Sequence, residues 1–421
     1  MRSALADRTS GKAGRPLLWA TGLSLSLVLV AALVVRLVLD DDPYVATPSA
    51  GPAARVEPGA AAAALHDLET AVAARDAAAA RALAPPDDEA AATLLAAVVG
   101  NARALRVEDF SLRYVDEEGA VAPDGSWSAA VDATWRFAGF DRAPARAEVT
   151  VRFVADGDRV AVDGFGGGDR RDPLWLHEPL RVLRSPGSLV MVAGPSRRAE
   201  QYAARARAAV PVVRRVLPGW RSGLVVEVPA TARDLDAALA ADPGEYANIA
   251  AVTATVDGSL TPSSPVHVFV NPEVFGDLRP QGAQVVMSHE AVHVATDAAT
   301  SGMPLWLLEG FADYVALRDV ALPLSTTAGQ ITRQVRREGA PSRLPDAAEF
   351  DTTTTHLGAS YEGAWLACRL LARTGGEAAL VRFYEQVDAG TGLGPALRST
   401  FGLSVAELTT RWRRLLTDLA S

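Results

Sequence analysis

Residues Met287–Thr296, MSHEAVHVAT, carry two of the chain's six histidines four positions apart, with a glutamate beside the first. Val285, Val286, Val292 and Ala295 recur with helical period, and Gly302 and Pro304 close the segment, so a helix is expected over Gln281–Ala299. Each residue turns a helix by about 100°, which puts positions four apart about 40° from each other on one face. His289 and His293 then project side by side and can both reach one ion at about 2.0–2.1 Å. Glu290 stands one step round, close to such an ion without binding it, where a general base for the ion's water has to be. The competing reading is two solvated histidines on a surface helix, and a third ligand decides between them.

Thr296 and Ala299 stand where the metzincin extension needs Gly and His, which excludes that class. The next segment is PLWLLEGFADYVAL, Pro304–Leu317. Pro304 suits the first turn of a second helix. Glu309, sixteen residues after His293, leaves room for a turn and an antiparallel return. A carboxylate there completes a His₂Glu set with an open fourth position, the pattern of catalytic rather than structural zinc. Asp313, four residues on, lies on the same face and can accept the spare ring N–H of a zinc histidine. A polar face on a surface helix is the plainer account of these two acids, but Glu309 interrupts an apolar run, and a carboxylate on an apolar face needs a partner. Gly310 lets two helices approach closely.

HEAVH followed by PLWLLEGFADY resembles the gluzincins, and most of all the peptidase MA-like group, whose signature is HExxH and then W-x-x-E-G-x-A-x-Y. Trp306, Glu309, Gly310, Ala312 and Tyr314 all match. The resemblance spans 185–421 and implies a thermolysin-like α+β metallopeptidase domain, one Zn²⁺ and hydrolysis of peptide bonds in a peptide or protein substrate. It also implies a Tyr or His that steadies the oxyanion. Tyr361, in SYEGAWLACRLL, stands where the family places this Tyr, and His356 is the alternative. The strand expected in PVHVFVNP can form a sheet edge for an extended peptide.

Upstream, a helix is expected from Ala60 to about Leu83 and a second over Glu89–Leu105. Alternating stretches follow: SLRYVD, SWSAAVDATWRFA, ARAEVTVRFVAD and RVAVDGF. Helices leading into a meander of long antiparallel strands resemble the cone-shaped NTF2-like α+β fold over 60–175. GFGGGD (164–169) lacks the helix that a dinucleotide site needs after it and reads as a turn.

The start of the chain has a different character. Leu17–Val35 is apolar and uncharged, basic residues precede it, and Asp40–Asp42 follow. It is expected to be a transmembrane anchor over 17–39, after a cytoplasmic basic tail (1–16) and before a flexible linker (40–59), with the later domains extracytoplasmic. A cleaved signal peptide with a secreted product is the alternative.

Composition narrows the rest. Hydrophobic residues make up 49%, enough for sizeable cores, and a net charge of −9 argues against nucleic acid as a partner. Cys368 is the only cysteine, so no intrachain disulfide forms and no thiol-rich structural zinc site is available. Two functions stay open: a membrane-anchored zinc peptidase, and a silent peptidase-like scaffold whose NTF2-like part binds a ligand or partner.

Overall fold

The computed structural model describes residues 57–421 apart from positions 158, 352 and 353. The first layer begins with three helices, α1 (Pro58–Ala74), α2 (Ala77–Arg81) and α3 (Glu89–Leu105). The single helix expected up to Leu83 is broken, because Arg75 adopts a left-handed conformation (φ 59°) and the Asp76 carboxylate caps a new start by accepting the Ala78 and Ala79 N–H groups at 3.0 Å. The helices pack on an antiparallel meander of β1 (Val107–Glu118), β2 (Ser126–Phe137), β3 (Ala145–Asp156) and β4 (Arg159–Phe165). Trp135, Phe137 and Phe153 are among its fully buried side chains. Gly166 (φ 81°) and Gly167 (φ 94°) turn the chain after β4, and a Cβ at Gly166 would run into the Asp172 carboxylate.

A short helix α4 (Leu174–His177) leads to a second sheet of β5 (Arg181–Ser185), β6 (Ser188–Val192), β7 (Leu224–Val228), β8 (Ala251–Thr255) and β9 (Val266–Val270). The order is β5-β6-β7-β9-β8. Strands β6, β7 and β9 run parallel, with α5 (Ser196–Val216) crossing between β6 and β7, while β5 and β8 pair antiparallel at the two edges. The PVHVFVNP strand, expected at an edge, is β9 and lies inside the sheet; the edge is β8. α6 (Ala232–Leu239) follows β7 and opens with a reciprocal capping box between Thr231 and Asp234.

All five residues of β6 and of β7 are buried, which alternation alone does not predict. The reason is that both faces of this sheet are covered. Val190, Val192, Val226, Val228, Val268 and Val270 face a core that includes α5 and the later helices. Leu189, Met191, Val225 and Phe269 face the other way and join the core of Trp135, Phe137 and Trp175. The five-stranded sheet is a middle layer shared by the two halves.

The remainder is helical: α7 (Pro272–Asp277), α8 (Pro280–Ala295), α9 (Leu305–Leu317), α10 (Leu324–Thr327), α11 (Gly329–Glu338), α12 (Leu357–Gly375), α13 (Glu377–Asp388), α14 (Leu393–Phe401) and α15 (Val405–Ala420). α8 ends earlier than its periodicity suggests, because Asp297 is left-handed (φ 50°) and turns the chain toward α9. α9 packs against α12, and a Cβ at Gly310 would overlap the Ala364 carbonyl of α12.

The described fold is α+β, and one expectation about it is corrected. No helix among the described residues is long and apolar enough to cross a membrane. The anchor expected over 17–39 lies outside the described residues, and the structure supports α+β for the described residues without a membrane-spanning helix.

Candidate metal centre and its cleft

Residues Met287–Val294 of α8 are all buried, which removes the surface-helix reading of the two histidines. His289 is 9% exposed, Glu290 7% and His293 8%. α9 returns beside α8 with Glu309 and Asp313 four residues apart on the facing side. The His289 and His293 Nε2 atoms are 3.0 Å apart, and Glu309 Oε2 lies 3.0 Å from the first and 3.3 Å from the second. Three corners of a tetrahedron with bonds of 2.0–2.1 Å stand about 3.3–3.4 Å apart, so this donor set is spaced for one zinc within a few tenths of an ångström. His289, His293 and Glu309 are also the one such group among the described residues whose ligand atoms converge.

Asp313 Oδ1 is 2.8 Å from His289 Nδ1. With Nδ1–H donated to that carboxylate, the Nε2 lone pair faces the other donors. His293 Nδ1 is buried and has no hydrogen-bond partner among the described residues. The electrostatics favour positive charge at the centre of the trio. Burial opposes a charged His289, yet Asp313 and Glu309 outweigh it and raise that pKa well above the ordinary value. Burial likewise opposes a charged Glu309, and the two histidines outweigh it and hold the carboxyl well below the usual carboxylate range.

Glu290 points beside the trio and not into it. Burial pushes its carboxyl up, partly offset by His289, His293 and a hydrogen bond donated by the Thr253 hydroxyl to Oε2 at 2.7 Å. Thr253 belongs to β8 and was not legible as a site residue, since Thr is an ordinary strand former. Tyr361, in the second turn of α12, lies with its ring 6.1 Å from that of His289 and packs edge-on against Phe350. Its hydroxyl is raised in pKa by burial first and then by Glu309, Glu290 and Asp313, so it stays protonated and able to donate. His356 is not brought to this place. It precedes Tyr361 by five residues, about 140° round the helix, and lines a separate cavity with Ile331 and Trp412. Its Nε2 is 3.9 Å from Glu338.

The trio, Glu290, Thr253 and Tyr361 open on a cleft of about 240 Å³ whose other walls include Tyr246, Ile249, Val252 and Leu308. β8 borders this cleft and, among the described residues, pairs with a strand on one side only. In comparisons with known proteins, no family model matches the chain and no curated protein matches it.

Proposed function

We propose that this protein is a zinc-dependent peptidase of gluzincin type, close to the peptidase MA-like group. The observation that carries the reading is the convergence of His289 Nε2, His293 Nε2 and Glu309 Oε2 within 3.0–3.3 Å of one another, with buried Glu290 alongside. His289, His293 and Glu309 would hold the zinc, which would lower the pKa of the attacking water toward about 7 and polarise a carbonyl oxygen. Glu290 takes a proton from the attacking water and passes it to the leaving amine. Tyr361 donates its hydroxyl hydrogen to the carbonyl oxygen as negative charge develops on it. The outer edge of β8 receives the substrate as an added strand, with the scissile bond over Glu290. The helices and meander of the first layer support the NTF2-like reading of 60–175, here in the role of covering the shared sheet.

The test is metal content and cleavage of a mixed peptide library by the purified protein. About one zinc per chain is expected, with cleavage lost on chelation and restored by zinc. A protein that binds no zinc overturns the reading at its first step, and one that binds zinc and cleaves nothing is a scaffold. Asp313→Ala is expected to weaken zinc binding by about 10–100-fold, because it frees the His289 ring to turn. Competition with a chelator of known affinity measures this, and an unchanged affinity removes Asp313 from the site.

A further inference from the structure

The hydrogen bond between Thr253 and Glu290 joins two elements with different tasks. α8 carries the zinc histidines and the base, whereas β8 carries the outer edge beside the cleft. Along β8 the side chains alternate: Val252 and Ala254 pack toward the first-layer core, while Thr253 turns to the helix side. Its Oγ1 lies 2.7 Å from Glu290 Oε2 and 3.3 Å from the Glu290 carbonyl oxygen. A hydroxyl has one hydrogen, and the shorter, charge-assisted contact takes it. One carboxylate oxygen is thereby tied to the strand, and the other is left to work on the cleft side.

We infer that Thr253 is the positioning residue for Glu290, fixing the base to the strand on which the peptide is registered. The inference rests on the zinc-peptidase reading above. Packing alone does not ask for a hydroxyl here, because Val has nearly the same shape and an equal preference for strands. The two accounts therefore differ in what Val does. If Thr253 only fills space, Thr253→Val is silent and Thr253→Ser, which leaves a small void, is the worse variant. If Thr253 orients Glu290, the order reverses.

The experiment compares Thr253→Val and Thr253→Ser in the full chain with the wild type. Readouts are zinc content, thermal midpoint, kcat and KM on one cleaved peptide, and the ¹³C resonance of the Glu290 carboxyl assigned with Glu290→Gln. For Thr253→Val the expected result is unchanged zinc content, kcat lower by roughly 10–100-fold with KM within about twofold, and a shifted Glu290 resonance. Thr253→Ser is expected to recover most of kcat and the wild-type resonance. In a Glu290→Gln background, Thr253→Val is expected to cost nothing further. An active wild type with a Val variant of equal kcat and unmoved resonance overturns the role of Thr253 and leaves the peptidase reading standing. Equal losses in Val and Ser also overturn it. A wild type that neither binds zinc nor cleaves overturns the peptidase reading, and the role of Thr253 with it.

Discussion

Glu290→Gln is expected to keep one zinc per chain and to lose roughly 10²–10⁴-fold in kcat/KM. The amide matches the carboxylate in shape and its oxygen can still accept from Thr253, which now lies 2.7 Å from Oε2. What it lacks is the capacity to take a proton. The ligand set is untouched, because Glu290 contributes no atom to the group of His289, His293 and Glu309. Stability is expected to hold or rise, since the variant replaces a buried charge whose carboxyl is pushed up by desolvation. Zinc analysis, steady-state kinetics and thermal melts on the same preparation check all three. Loss of metal in the variant would make Glu290 a structural residue; undiminished cleavage would place the base elsewhere.

The second large effect is on stability and arises on the other face of the shared sheet. His267 on β9 is 1% exposed, and its ring lies between two carboxylates: Glu227 of β7, 2.7 Å from Nδ1, and Asp141, 3.0 Å from Nε2. Phe137 stacks on the ring at 5.5 Å. Asp141 follows β2 and belongs to the first layer, so the triad joins that layer to the shared sheet. His267→Ala leaves two buried carboxylates without their cation and is expected to cost about 3–5 kcal/mol. Burial disfavours the charged ring, but Asp141 and then Glu227 outweigh it and raise the pKa to about 9. The unfolded value is about 6.5. The folded state thus binds the proton more tightly, and the stabilisation is complete below about pH 6.5 and lost as pH rises through about 9. Urea midpoints measured across that window are expected to fall in the wild type and to stay flatter in His267→Ala. Replacing both acids as well (Asp141→Asn, Glu227→Gln) is expected to recover part of the loss. A His267→Ala protein within about 0.5 kcal/mol of the wild type would show that the triad does not hold the layers together.

The metal set was legible because its signals are local: four residues along one helix for His289 and His293, and an acid breaking an apolar run for Glu309. Tyr361 ranks ahead of His356 only through the place the resembled family gives its Tyr, since what separates the two physically is helical phase on an element whose start the sequence does not mark. The edge strand was misassigned for a different reason. Whether β8 or β9 lies outside depends on how β9 crosses to pair with β7, which no pattern within VHVFV records. The break at Arg75 is hidden in a run of alanines with no Gly or Pro, and Asp76 ahead of four alanines was its only sign. The His267 triad draws one residue from each of three segments 126 and 40 positions apart, and a lone His in an apolar strand announces nothing. The expected anchor rests on length, hydropathy and flanking charge, and 17–39 lies outside the described residues.

The sheet with two covered faces has a consequence for how this chain can be taken apart. A module that can be moved between proteins needs a finished outer surface at its boundary. Here a cut near position 180 would expose Leu189, Met191, Val225 and Phe269 on one side and the Trp135 and Trp175 core on the other. Neither piece would be a domain in its own right. The two halves share one sheet, so the half that carries His289, His293 and Glu309 keeps a covered core only with the other half in place.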